Sequence, residues 1–355
     1  MRFLAFFFVF CHHFIYRGGN SLNLSRTQSH KIAIIDSISF FGAQGVTIFF
    51  FLSSFLISKI LLKELSKDGK IWIKDFYIRR ILRIWPLYYS FVFVFYFAKI
   101  WMASQAIESD ELPFMASFTY NWHQIFSGES RGMGAILWSI SVEEQIYLLL
   151  PFLLIISRNL SKRNLMLIMI VLGAIFRFIF FALNLSFERS TLSYFGVVGL
   201  GIYFASEESN ISEKYLKLKS YVRFSILLIF VTYIIFYKFL ISVNLFGVIL
   251  FDFPALLGVW LCISKGKSKD DHKIRLDEKI LAYLGRRTYG MYLFHWPILG
   301  LLVSRKFLYE DNRGITLAGV ILGFFICLFV SVISYKFFET PFLNLRKRFQ
   351  HNLIN

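Results

Sequence analysis

Long apolar runs recur from one end of this 355-residue chain to the other, and they constrain its fold more than any other feature. A water-soluble domain of this length has no core large enough for a sequence that is 57% hydrophobic and 19% aromatic. Apolar runs between charged stretches predict about ten membrane-spanning helices. We place them near 3–17, 40–61, 84–103, 136–156, 165–184, 191–206, 223–241, 245–263, 288–304 and 315–337. The sequence therefore predicts an all-α polytopic membrane protein.

Lysine and arginine crowd alternate loops and predict the orientation of the chain. They are dense near 63–83, 158–163, 214–219, 265–287 and 346–348, and sparse in the loops between. The positive-inside rule makes the basic side cytoplasmic and places both termini there. The net charge of +17 is then mostly a topology signal, which argues against nucleic acid as a partner. The two longest loops, 104–135 and 264–287, are the candidates for ligand-facing structure.

Arg2 and His13 form the first candidate pair of ionisable residues. An ionisable side chain within the bilayer is costly, so it usually faces a cavity and has a function. Eleven residues make about three helical turns, so the two side chains share a face, about 16 Å apart along the axis. A histidine there can remove a proton from a hydroxyl. The alternative is that the pair merely ends a short helix at the outer interface.

A second candidate feature is the segment LWSISVEEQIYLLLPF at 137–152, which carries two adjacent glutamates. Ser139, Glu143 and Tyr147 fall at i, i+4 and i+8 and make a polar stripe along one helix face. Trp138 lies on the opposite side, and Glu144 flanks the stripe. Glu143 could orient a histidine or accept hydrogen bonds from a sugar. The alternative is a structural pair with an arginine on a neighbouring helix.

The segment FYIRRILRIWPLYY at 76–89 places Arg79, Arg80 and Arg83 at helical spacing near the cytoplasmic surface. Guanidinium groups match phosphate geometry, so these residues are a candidate anchor for a nucleotide-like donor. The alternative is that they are positive-inside residues whose charged ends reach the interface.

Two further helices contribute candidate residues, and no metal-ligand spacing or glycine-rich phosphate loop accompanies them. GAQGVTIFFFLSSFLI at 42–57 spaces small residues, Ser53 among them, at intervals that allow close helix packing. GRRTYGMYLFHWPIL at 285–299 places Tyr292 and His295 three residues apart. An aromatic belt at the interface accounts for tyrosine there, but not for the histidine.

Taken together and in order, these segments resemble the acyltransferase-3 family of integral membrane O-acyltransferases, stand-alone form, over nearly the whole chain. RFLAFFFVFCHH resembles the arginine, ten residues, histidine signature of its first helix. WSISVEEQIYLLLP resembles a motif whose glutamate falls on Glu143, and SYKFFETPF at 334–342 resembles the closing helix. The 42–57 segment resembles the family's glycine-rich helix, with Ser53 on the family serine and Ser54 where the family usually has glycine.

The resemblance implies transfer of an acyl group, commonly acetyl from acetyl-CoA, to a hydroxyl of a cell-surface or secreted glycan such as O-antigen, capsule or exopolysaccharide. It implies His13 and Glu143 as catalytic residues, with Glu143 orienting His13 or the acceptor. We expect the donor to bind Arg2, Arg79, Arg80 and Arg83. We expect Ser53, Trp138, Ser139, Tyr292 and His295 to line the cavity for the acceptor, with no bound cofactor and no metal.

The expected organisation is a transmembrane domain over 1–345 and a basic cytoplasmic tail over 346–355, in the bacterial inner membrane. The rival hypothesis is a transporter or flippase without chemistry, whose intramembrane charges would form a proton or substrate path. Broken helices arranged as inverted repeats would favour that rival.

Overall fold

The computed structural model describes residues 1–17, 40–98, 107–128, 132–242, 244–263, 276–304, 309–310, 314–315 and 317–349. Within them the chain is almost entirely helical, and two-residue strands β1 (Tyr309–Glu310) and β2 (Gly314–Ile315) form one antiparallel pair. The predicted all-α polytopic class is therefore confirmed. The count of about ten spans and the cytoplasmic placement of both termini stay predictions.

Fourteen α-helices run through the described part of the chain. In order they are α1 (Arg2–Cys11), α2 (Gly45–Asp68), α3 (Ile73–Phe97), α4 (Leu112–Ala116), α5 (Tyr120–Ser127), α6 (Leu137–Ile156), α7 (Lys162–Ala182), α8 (Phe195–Lys217), α9 (Ser220–Ser242), α10 (Asn244–Ile249), α11 (Phe253–Ile263), α12 (Leu276–Ser304), α13 (Leu317–Ile333) and α14 (Thr340–Arg346). Wider π-helical turns follow α1 at His12–Arg17 and α13 at Ser334–Glu339, and tight 3₁₀ turns precede α2 and α8.

Each predicted span overlaps a helix, but three predictions need correction. The span predicted at 84–103 is the second half of α3, so the arginine segment and the apolar segment form one helix. The span predicted at 245–263 is broken between α10 and α11. Residues 276–287, predicted as loop, are the first turns of α12. Residues 99–103 and 350–355 lie outside the described part.

Length and apolar composition qualify five helical stretches of the described residues to cross a membrane. They are Gly42–Asp68, Leu137–Ile156, Lys162–Ala182, Ser220–Tyr237 and Ala318–Phe349. Large apolar side chains on these helices remain exposed, such as Phe329 at 66% and Ile168 at 48%. Contiguous apolar surface of this kind is expected to face lipid in a membrane protein.

Small residues let the first helices pack closely, as the 42–57 segment predicts. A Cβ added at Gly45 would lie 2.4 Å from the Ala5 carbonyl oxygen of α1. On the opposite side of α2, a Cβ at Gly201 of α8 would lie 2.1 Å from Ser54 Oγ. Ser54 is fully buried, and its hydroxyl donates to the carbonyl of Phe50. A glycine on α8 thus makes room for the serine that departs from the family pattern.

The region predicted as a long ligand-facing loop, 104–135, contains α4 and α5 and is tied to α6 through Gln145. The Gln145 amide donates to Phe118 O at 2.7 Å and to Asn121 Oδ1 at 2.8 Å. Its oxygen accepts from Trp122 Nε1 at 3.2 Å and from Thr191 Oγ1 at 2.5 Å. Because every hydrogen-bonding position of this amide has a partner, Gln145 anchors α5 and the turn before α8 to α6.

A buried ion pair holds the broken α10–α11 segment against α7 and α8. The Arg177 guanidinium of α7 donates through both terminal nitrogens to Asp252 at 3.0 Å, and through one of them to Ser193 O at 2.8 Å. Arg177 is 2% exposed. A Cβ at Gly196 would lie 2.3 Å from Asp252 Oδ2, so glycine is needed for this approach. The sequence analysis did not identify this pair.

We predict that Arg177→Met destabilises the protein, because it leaves the Asp252 carboxylate buried without its partner. Breaking a buried ion pair costs about 3–5 kcal/mol. Thermal unfolding of the purified chain in detergent measures the loss. The double variant Arg177→Met/Asp252→Leu should recover most of it, since no buried charge is left unpaired.

The matched control is Lys217→Met, which removes an ion pair with Glu213 at the exposed end of α8. We expect its unfolding temperature to equal that of the wild type. An Arg177→Met chain as stable as the wild type would contradict a holding role for the buried pair.

Candidate active site

Two cavities lie along the helix bundle and meet at Val46 and Tyr292, which line both. Arg2 and Arg83 line the first, and the topology prediction places both on the cytoplasmic side, so we call it the inner cavity. His12 and His13 line the second, which we call the outer cavity. The inner cavity is small, with a volume of about 60 Å³, and the outer one is larger, about 240 Å³.

The polar stripe of α6 faces the inner cavity, as its spacing predicts. Glu143 Oε1 accepts a hydrogen bond from Ser53 Oγ of α2 at 2.5 Å and another from the Tyr147 hydroxyl. Ser139 shares a 2.6 Å hydrogen bond with the Tyr292 hydroxyl of α12. The two hydrogen bonds to Glu143 hold one oxygen of its half-buried carboxylate, and together with the Ser139–Tyr292 bond they join α2, α6 and α12 around one space.

The Ser139–Tyr292 hydrogen bond lies where the two cavities meet. The Tyr292 side chain lines both cavities, whereas Ser139 lines only the inner one. The hydroxyl of Tyr292 also approaches Ile136 O at 3.4 Å. The pair therefore forms part of the partition between the inner and outer cavities.

The three arginines of α3, predicted to act together, occupy three different environments. Arg83 lines the inner cavity together with Arg2, whose Nε is buried without a hydrogen-bond partner among the described residues. Arg79 instead forms an ion pair with Glu64 of α2 at 2.7 Å and donates to Phe349 O at 2.8 Å. Because the Arg79 guanidinium already binds Glu64 and Phe349 O, we remove Arg79 from the candidate donor site.

Arg80 turns to a third, lateral cavity between α3 and α6. Its guanidinium lies over the Tyr147 ring at 5.2 Å, an arrangement that favours a cation–π contact. Glu144 lines the same cavity, and its Oε2 accepts from Trp85 Nε1 at 3.1 Å. Tyr147 separates this lateral cavity from the inner one, because it lines both. Arg80 therefore does not join Arg2 and Arg83 at the inner cavity.

His13 lies in the π-helical turn after α1 and meets His295 of α12. His13 Nδ1 is 2.7 Å from His295 Nε2, and His295 Nδ1 is 2.5 Å from Tyr292 O. The Trp296 ring meets His13 edge-on at 4.9 Å. His295 is fully buried, whereas His13 lines the outer cavity.

Glu143 and His13 line different cavities, which corrects the expectation that Glu143 orients His13. The partner of His13 is another histidine, 282 positions away in the sequence. A shared family motif places two residues in one functional region, but it carries no information on which atoms touch. Glu143 instead fixes Ser53 and Tyr147 in the wall of the inner cavity.

The outer cavity contains polar residues that the sequence analysis missed. Gln44 donates to the Tyr237 hydroxyl and accepts from Thr47 Oγ1 at 2.8 Å, and all three residues line the cavity. Glu188 and Arg189 of the turns before α8 line it as well. Trp138 lies here, as expected for a residue opposite the α6 stripe. Glu188 could have been singled out as an acidic residue on a short, apolar extracytoplasmic connection.

The described residues contain no group of three or more His, Cys, Asp or Glu side chains that could hold a metal ion. The polar groups that line the cavities are hydroxyls, amides, carboxylates, guanidinium groups and imidazoles. Together they can bind a charged ligand on one side and move a proton on the other.

Comparison with known proteins identifies the class. A family model described as an acyltransferase domain matches residues 1–336, and the chain belongs to this acyltransferase-3 family. No solved structure matches the chain.

Three curated relatives show how far the similarity extends. The chain is 28% identical over 337 residues to the peptidoglycan O-acetyltransferase OatA of Listeria monocytogenes, covering 87% of this chain and 53% of that protein. It is 24% identical to the putative peptidoglycan O-acetyltransferase YrhL of Bacillus subtilis, with 84% and 50% covered. It is 25% identical to a putative O-acetyltransferase of Staphylococcus aureus, with 85% and 52% covered. The chain thus spans about half the length of these relatives.

We predict that Gly42→Ala disturbs the segment that carries His13. A Cβ at Gly42 would lie 2.3 Å from Phe8 O and 2.9 Å from His12 Cβ, and neither atom can turn aside without moving the backbone. Overpacking of this kind costs about 1–3 kcal/mol. The measurement is thermal unfolding in detergent.

Gly285→Ala is the matched control, since nothing lies within 4 Å of the added Cβ in α12. Its stability should stay level or rise slightly, because alanine favours a helix over glycine. If both variants unfolded at the same temperature, the close contact at Gly42 would not constrain the His13 segment.

Proposed function

We propose that the chain is a membrane O-acyltransferase that moves an acyl group, acetyl in the first instance, from acyl-CoA to a hydroxyl of a cell-surface glycan. Family membership supports acyl transfer, and the names of the relatives support acetyl as the group. Peptidoglycan is the first glycan to test, and O-antigen, capsule and exopolysaccharide belong to the same class. The bacterial inner membrane, with its lipid around the bundle, is the proposed location.

The observation that carries this proposal is the pair of cavities that meet at Tyr292. A donor made in the cytoplasm and an acceptor exported from the cell reach the membrane from opposite faces. The inner cavity supplies cations, Arg2 and Arg83, and the outer cavity supplies a proton-accepting residue, His13. This division matches the needs of the two substrates.

On the donor side, Arg2 and Arg83 are suited to the phosphates of coenzyme A. The inner cavity is small, so the thioester end of the arm would enter it while the bulkier nucleotide stays at the cytoplasmic mouth. Glu143 and Ser53 lie further along the same cavity, where they can hydrogen-bond the polar groups of that arm.

On the acceptor side, the outer cavity combines apolar rings with a few polar groups, as small-molecule sites usually do. Trp138 and Trp296 offer broad faces for a sugar ring, and the Glu188 carboxylate can accept hydrogen bonds from its hydroxyls. His13 is placed to remove the proton of the hydroxyl that attacks. The thioester carbonyl would reach this hydroxyl past Tyr292, which requires the Ser139–Tyr292 hydrogen bond to open.

The deciding experiment measures transfer from acetyl-CoA labelled in the acetyl group to solubilised peptidoglycan fragments by the full chain in detergent. We predict that His13→Ala abolishes transfer with normal expression and folding, because loss of a general base costs about 10²- to 10⁴-fold. His12→Ala should be milder, since His295 contacts His13.

Equal activity of the two histidine variants would refute His13 as the base. A wild-type chain that binds acetyl-CoA but transfers nothing to any glycan would favour the transporter hypothesis instead.

We predict that Arg83→Gln raises the KM for acetyl-CoA far more than the KM for the acceptor. A lost hydrogen bond to a charged group costs about 1.5–3 kcal/mol, or about 10- to 150-fold. Arg83→Lys should recover part of the loss, because a point charge lacks the planar fork of a guanidinium. Steady-state kinetics with each substrate varied separately give both constants.

Arg79→Gln is the matched control on the same helix. Arg79 is paired with Glu64, so its loss should lower the unfolding temperature and leave the KM for acetyl-CoA near the wild-type value. If Arg79→Gln and Arg83→Gln raised that KM equally, the donor site would not be the inner cavity.

A further inference from the structure

His13 and His295 meet edge to edge, in nearly one plane. Their ring centroids are 5.0 Å apart and their planes differ by 13°, yet His13 Nδ1 and His295 Nε2 are only 2.7 Å apart. Rings stacked face to face could not bring two nitrogens so much closer than their centroids. The contact is therefore an in-plane hydrogen bond, and one of the two nitrogens carries the proton.

The second ring nitrogen of His295, Nδ1, shows which of the two histidines donates this hydrogen bond. His295 Nδ1 lies 2.5 Å from Tyr292 O, and a carbonyl oxygen can only accept. Nδ1 of His295 must carry a hydrogen. In a neutral imidazole the other nitrogen is then a bare acceptor, so His295 Nε2 accepts from His13 Nδ1. Neutral His13 accordingly has its proton on Nδ1 and a basic lone pair on Nε2.

The opposite arrangement would require His295 to be a cation that donates from both nitrogens. His295 is fully buried, and besides His13 its ring neighbours are Tyr292, with ring centroids 5.3 Å apart, and Phe6, which meets it edge-on at 5.9 Å. Among the described residues, the groups that hydrogen-bond His295 are His13 and the backbone of Tyr292 and Met291, and none of them is a carboxylate. An ion buried without an opposite charge is costly. The neutral His295 is the favoured form.

We infer that His295 is a positioning residue that holds His13 in the Nδ1–H tautomer, so that His13 Nε2 takes the proton of the acceptor hydroxyl. This inference rests on the proposed function. The acceptor O–H bond breaks as its oxygen bonds to the thioester carbonyl carbon, and the proton goes to Nε2. The C–S bond then breaks, and His13 returns the proton to sulfur, which gives the ester and free coenzyme A thiol.

The Tyr292 carbonyl determines which ring nitrogen of His295, and through it which ring nitrogen of His13, carries the hydrogen. It does so without a formal charge. In a Ser–His–Asp triad a carboxylate orients the histidine, and its loss leaves the wrong tautomer and costs about 10⁴-fold. In this protein the neutral His295, held by the Tyr292 carbonyl of α12, takes the place of that carboxylate and orients His13. It supplies direction to His13 but no negative charge, and the imidazolium that forms on His13 lies at the outer cavity, which the Glu188 carboxylate also lines.

Two variants of similar size separate positioning from packing. His295→Gln can keep an acceptor near the position of Nε2, whereas His295→Leu cannot accept a hydrogen bond. We expect His295→Leu to lower kcat by about 100-fold or more with the KM for acetyl-CoA unchanged, and His295→Gln to recover at least tenfold. His123→Gln, on α5 and outside both cavities, is the control and should match the wild type. Equal activity of the glutamine and leucine variants would overturn the inference.

A second measurement does not depend on activity or on any variant that folds poorly. In wild-type chain labelled with ¹⁵N-histidine, the His13 signals, assigned by their loss in His13→Ala, should show protonated Nδ1 and bare Nε2. The reverse tautomer would overturn the inference even if His295→Leu were inactive. If the tautomer is as inferred but acetyl-CoA supports no transfer, the proposed function fails and the orienting role of His295 stands.

Discussion

A polar side chain inside an apolar bundle needs a hydrogen-bonding partner, and this constraint shapes the whole structure. Several of the polar groups described above find their partners on another element of the bundle. Glu143 of α6 accepts from Ser53 of α2, and Arg177 of α7 pairs with Asp252 at the break before α11. Such pairs fix helix against helix, because apolar packing alone has little preference for one neighbour over another in lipid. Of these groups, Ser53 and Glu143 also line the inner cavity.

In the proposed reaction, the separation of Arg2 and Arg83 from His13 in two cavities would solve a problem of access. A cytoplasmic thioester and an extracytoplasmic hydroxyl cannot share one open passage without a leak across the membrane. The hydrogen bond between Ser139 and Tyr292 lies where the cavities meet, and both groups are buried. The proposed reaction then needs only the short distance across this partition, since each substrate approaches from its own side.

Local patterns of the sequence predicted much of the fold. The length of an apolar run and the number of basic residues in a loop can be read from a short segment without knowing its neighbours in space. Every predicted span overlaps a helix, and the i, i+4, i+8 stripe of α6 does face a cavity. Long-range pairing was not predictable in this way. The spacing of Arg79, Arg80 and Arg83 suggested one anion site. In the structure, Arg79 forms an ion pair with Glu64 on the preceding helix, and Arg80 lies over the Tyr147 ring. Nothing in the sequence links His13 to His295, and the family resemblance pointed to Glu143 instead.

Tyr292 contacts Ser139 of the partition and His295 beside His13 through different atoms. Its side-chain hydroxyl hydrogen-bonds Ser139 in the partition, and its backbone carbonyl accepts the hydrogen bond from His295 Nδ1 on which the inferred tautomer of His13 depends. A rotation about the side-chain bonds of Tyr292 can break the first contact without moving the second, because the carbonyl belongs to the α12 backbone. A shift of the whole helix would instead carry the carbonyl and His295 away from His13. In the proposed reaction, opening by side-chain rotation is therefore the motion that would let the donor through while His13 stays oriented.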